Sequence, residues 1–90
     1  RLGSANLIYM TTTTATARQA INRVRNAKDS LMQAERLGQA LRAAKQADPH
    51  NHHLDVAIEN ARRLVYEMEA DFLYEMDEAI AVGVNPDDLI

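Results

Sequence analysis

The stretch Ala47-Asp48-Pro49-His50-Asn51-His52-His53-Leu54 decides the fold, because one helical pattern ends at its left edge and another begins at its right. The residue before a proline avoids the α region, so Asp48-Pro49 closes the helix that precedes it. Read backward from that stop, Leu41, Gly38, Ala34, Leu31, Ala27, Val24, Ala20 and Ala17 are separated alternately by 3 and 4 residues. Such spacing is the heptad seam of a single amphipathic helix. Thr12, Thr14 and Thr16 offer alternative N-caps, which predicts helix 1 over about residues 15–47, or ~50 Å of helix. Gly38 lies inside it, and a mid-helix glycine costs ~1 kcal/mol relative to alanine. The reading adopted is close helix contact at Gly38; a break into two helices is the alternative.

Read forward, Leu54, Ile58, Ala61, Val65, Met68, Phe72, Met76 and Ala79 form a second seam, with one 4-4 step around Phe72. Helix 2 is expected over about residues 52–82. Gly83 fits the left-handed position after a helix end. Asn85-Pro86-Asp87-Asp88 then reads as N-cap, first-turn proline and two first-turn acids, a short turn that folds Leu89 and Ile90 back. Two long helices joined by a tight turn make an all-α antiparallel hairpin.

Composition limits how well such a hairpin can bury itself. Of 90 residues, 47% are hydrophobic, but 15 of those are Ala, with one Phe, three Tyr and no Trp. A chain this size buries only ~60% of its unfolded surface and usually needs disulfides, metal or self-association. The absence of Cys excludes disulfides, thiolate metal sites and thiol nucleophiles. It also fits a reducing, cytoplasmic setting. Residues 1–9 read as a non-native remnant ahead of Met10, leaving residues 10–90 as a single helical-hairpin domain. Leu7, Ile8 and Tyr9 are too few apolar residues for a signal or a span, and no membrane association is expected.

The net charge of −3 hides an asymmetry. Residues 15–47 hold seven basic side chains against two acidic, a net of +5; residues 52–82 hold two basic against eight acidic, a net of −6. In a hairpin turning at residues 50–51, facing residue numbers sum to about 101. Arg23 with Glu78, Arg25 with Glu75, Arg42 with Glu59 and Lys45 with Asp55 satisfy that sum, so the charges are expected to set register more than to stabilise.

Few constellations carry chemistry. His50, His52 and His53, bracketed by Asp48 and Asp55, have metal-ligand residue types, but HExxH and paired Glu-x-x-His patterns are absent. The cluster reads as a polar turn, with pH sensitivity as its lesser consequence. Ser4 and Ser30 lack triad context, and no phosphate loop or nucleophile elbow is present. Catalysis and cofactors are not expected. Arg18, Arg25 and Arg36 share a stripe away from the seam that could meet phosphates, yet Asp29 lies beside it and aromatic interleaving is missing. Glu67, Asp71, Glu75 and Glu78 could imitate a polyanion, for which the net charge is too small.

Association is the remaining expectation. Tyr66, Leu73 and Ile80 recur every seven residues about a quarter-turn from the seam, and one partner helix cannot cover both stripes. Leu37 and Ala44 lie beside the helix 1 seam, with Ile21 and Met32 on its far side. A homodimer forming a four-helix bundle is therefore expected. Tyr66, Leu73, Tyr74, Ile80 and Arg25 are the candidate protein-binding residues, since Tyr and Arg dominate hot spots. Compact chains of this kind, small phage-type proteins among them, act as adaptors, regulators or inhibitors of other proteins; that is analogy from size. A nucleic-acid-associated regulator using Arg18, Arg25 and Arg36 is the alternative.

Overall fold

A computed structural model describes residues 2–89, with side chains from Thr16 onward. Helix α1 spans Leu2–Ala47, α2 spans His52–Ala81, and a 3-10 turn spans Pro86–Leu89. The two long helices are antiparallel and in contact along the hairpin.

Helix α1 begins at Leu2, not near residue 15. Threonines favour a cap only where the helix has another reason to start. Nothing between Ser4 and Leu37 is a proline or glycine, so no residue there interrupts the backbone ladder. At ~1.5 Å per residue α1 is ~69 Å long and α2 ~45 Å, which accounts for an overall extent of 73 × 15 × 15 Å. The early turns of α1 therefore run past the C-terminal end of α2. Residues 1 and 90 lie outside the described residues.

The turn follows from its residues. The Asp48 N–H still donates to the Ala44 carbonyl (3.0 Å), Pro49 has no N–H to continue the ladder, and the Asn51 N–H donates to the Asp48 carbonyl (3.2 Å). That bond closes a β-turn with Asp first and Pro second. No non-glycine residue in the described chain has positive φ, which leaves type I as the geometry. Asn51 then caps α2: its Oδ1 accepts from the His53 N–H at 3.0 Å. Asp55 in the first turn suits the positive end of the helix dipole.

Helix α2 stops where glycine permits it. Gly83 takes φ +95°, and its N–H donates to Ile80 O (3.0 Å) while Val84 N–H donates to Ala79 O (3.0 Å). These two bonds make a Schellman motif, with Val84 and Ala79 in its hydrophobic contact. Asn85 Oδ1 accepts from Asp87 N–H at 3.0 Å, and Leu89 folds back to 7% exposure.

Every residue of both seams is buried or half-buried. The main core lies at the open end of the hairpin, where Ala20, Val24, Ala79, Val84 and Leu89 cluster, with Ile21, Phe72 and Met76 packed on it. Of the large side chains described, Val24 alone is fully enclosed, at 1% exposure. The seam closes the helices against each other but encloses little volume.

Gly38 neither breaks α1 nor makes a close contact. The helix is continuous through it, and a Cβ built there would meet no atom within 4 Å. Gly38 instead floors a notch of about 210 Å³ between the helices, with Ala61, Val65, Glu35, Gln39, Arg42 and Arg62 around it.

Candidate interaction surfaces

The notch identifies which flanks of the two helices adjoin. Glu35, Gln39 and Arg42 of α1 and Arg62 of α2 border it from the same side. Because both seams repeat every seven residues, each flank can be followed by heptad steps. On α1 the steps lead from Glu35 to Lys28 and Ile21, and from Gln39 to Met32 and Arg25. On α2 they lead from Arg62 to Glu69 and Met76. Tyr66, next to Arg62 in a neighbouring shallow depression, leads to Leu73 and Ile80. One broad face thus spans both helices, with Ile21 level with Ile80, Met32 with Glu69 and Glu35 with Tyr66.

Along this face Tyr66 is 78% exposed and Leu73 53%. Ile80 and Met32 are also exposed, and Ile21 and Met76 are half-buried. Tyr74 is exposed but lies on the back of α2, a 100° step beyond Leu73. Of the proposed protein-binding residues, the structure therefore gathers Tyr66, Leu73 and Ile80, puts Arg25 across the hairpin groove on α1, and leaves Tyr74 apart. On the opposite flank Leu37 and Leu64 are exposed at the same level, a patch of which the sequence pattern singles out Leu37 and not Leu64.

Among the described residues, few charges pair across the hairpin. Lys45 Nζ lies 2.7 Å from Asp55 Oδ1, with His52 Nδ1 3.5 Å from Asp55 Oδ2. The Lys45 hydrogen bond holds the Asp55 carboxyl below its ordinary value, against a smaller upward push from partial burial. The other three expected pairs do not close among the described residues; Glu59 pairs instead with Arg62 of its own helix, at 3.7 Å. Equal level along the axis is not enough, since Arg25 and Glu75 lie on opposite flanks.

Arg18, Arg25 and Arg36 are exposed on one outward stripe of α1, with Asp29 exposed beside it. His50, His52 and His53 are exposed around the turn. Among the described residues no three His, Cys, Asp or Glu side chains converge into a metal-sized group, and no helix is long and apolar enough to cross a membrane. Compared with protein-family models, curated proteins and solved structures, the chain matches none.

Proposed function

We propose that the protein is a small non-enzymatic interaction module, a helical homodimer that docks on another protein as an adaptor, regulator or inhibitor. The observation that carries this reading is the face with Tyr66, Leu73 and Ile80 exposed on a hairpin that, among the described residues, fully encloses Val24 alone of its large side chains. Contiguous apolar surface on a small domain marks interaction sites, here for self-association, and Tyr74, exposed on the back of α2 clear of that face, is hot-spot chemistry for docking on another protein. The described grooves are shallow and lack convergent buried polar groups, which suits binding more than catalysis.

Light scattering on the whole chain at low micromolar concentration, with affinity capture by wild type and by Tyr74→Ala, tests this. A dimer, and a captured protein that Tyr74→Ala fails to hold, is the expected result. A folded monomer, or a dimer whose captured proteins are the same with and without Tyr74, would sink it.

The second reading, a nucleic-acid-associated regulator, draws on the outward exposure of Arg18, Arg25 and Arg36. Phosphate contacts are salt-dependent. Filter binding at two salt concentrations therefore separates the readings: salt-sensitive retention that is lost in the triple Arg→Ala variant supports the second.

A further inference from the structure

We infer that the Ile21–Ile80 face is covered by a second copy of this chain, with the two-fold axis parallel to the long axis of the hairpin. Each α1 then lies over the second copy's α2, and all turns sit at one end of the bundle. This rests on the interaction-module reading and specifies its dimer.

Size is the first argument. The paired part of the hairpin is ~45 Å long, from the length of α2, and 15 Å across, a footprint of about 700 Å². Standard interfaces take ~800 Å² from each partner.

Charge is the second, and it chooses the axis. Two hairpins can meet on this face in two symmetric ways. A two-fold axis running across the hairpin lays α1 on α1 and α2 on α2, basic on basic and acidic on acidic. An axis parallel to the hairpin lays α1 on α2 at the same level. Arg25 of one copy then stands level with Asp77 of the other, Lys28 falls between Glu69 and Asp77, and Glu35 lies near Arg62. All six of these side chains are exposed in the single chain. Like-charge juxtaposition works against the crossed arrangement, and opposite charge fixes the parallel one. Between these rims, Ile21, Met32, Leu73 and Ile80 form the apolar strip of a four-helix bundle whose neighbouring helices are all antiparallel.

The test uses the whole chain, which has no Cys, so one introduced thiol labels each copy once. Light scattering of wild type is expected to give about 20 kDa, twice the 10.1 kDa chain. Leu73→Glu is expected to give the monomer mass with its helical circular dichroism retained, while Leu37→Glu, on the opposite flank, stays dimeric. Spin labels on His50→Cys are expected within ~30 Å of each other; the crossed arrangement separates them by about the hairpin length, ~45 Å or more. A dimer with that long separation, or one that Leu73→Glu leaves intact, overturns this inference while the homodimer reading stands. A monomeric wild type overturns both.

Discussion

Lys45 Nζ sits 2.7 Å from Asp55 Oδ1, joining the last turn of α1 to the first turn of α2 across the Asp48–Asn51 turn. The bond lowers the Asp55 carboxyl from its ordinary 3.8. A carboxyl depressed in the folded state adds stability above its unfolded value and loses it as pH falls through the folded one. The contribution is thus complete at neutral pH and fades below about pH 4. Asp55→Asn should melt at a lower temperature than wild type at pH 7, with the two converging as the pH is taken toward 2. A constant offset across that range in thermal melts would show that the ion pair is not the source.

Gly38→Ala should stabilise the chain. The added methyl enters the open notch, and replacing a helical glycine recovers about 0.5–1 kcal/mol. Urea unfolding should show a raised midpoint at unchanged slope. A lowered midpoint would mean that the helices approach more closely at Gly38 than its surroundings indicate.

Gly83→Ala should do the opposite. Space is not the obstacle, since a Cβ there would also meet nothing within 4 Å, but φ is +95°. Left-handed backbone costs an L-residue roughly 1–2 kcal/mol, and the Schellman bonds to Ile80 and Ala79 depend on it. Gly83→Asn, which tolerates this region better, should lie between alanine and wild type in the same urea series.

These two glycines mark how far the residues alone could be read. The 3-4 alternation of Ala17 to Leu41 and Leu54 to Ala79 is a direct consequence of 3.6 residues per turn, so the buried sides of both helices were legible, as was the left-handed Gly83. At Gly38 the same spacing gave the side but not the gap: a seam position next to Ala61 and Val65 can be a contact or a notch, and only side-chain volumes in three dimensions decide. The start of α1 was missed because capping preferences say where a helix can begin, not that it must. Asn51 went unrecognised as an N-cap although an Asn just ahead of a helix is its usual signal. The sum of residue numbers correctly paired Lys45 with Asp55, yet it carries no azimuth, and for Arg25 and Glu75 azimuth was the missing quantity. Tyr66, Leu73 and Ile80 were visible as a stripe; Ile21 and Met32, expected on the far side of α1, instead lie on the flank that extends this face, with Ile21 packed on the core cluster, because the heptad drift carries that flank around toward α2.

Val24→Ala should be costly for so small a change. Val24 is 1% exposed within the cluster of Ala20, Ala79, Val84 and Leu89. Removing two buried carbons there forfeits roughly 1–3 kcal/mol, more if the gap stays open. The 3-10 turn presses Leu89 onto this cluster, so its release should accompany the loss. Hydrogen exchange at the Val84 and Asp88 amides, which donate to Ala79 and Asn85, should accelerate more in Val24→Ala than exchange near the Asp48–Asn51 turn.

Melting temperature should depend on protein concentration. A hairpin with one fully enclosed large side chain among its described residues draws much of its stability from the second copy, and dissociation then accompanies unfolding. A hundredfold increase in concentration should raise Tm by several degrees, as expected for a two-chain unit of this size. Leu73→Glu, with its apolar strip interrupted, should melt lower and at a temperature independent of concentration. If wild type also melts independently of concentration, the single hairpin is sufficient for the cooperative fold, and the seam of small residues must supply more stability than its burial suggests.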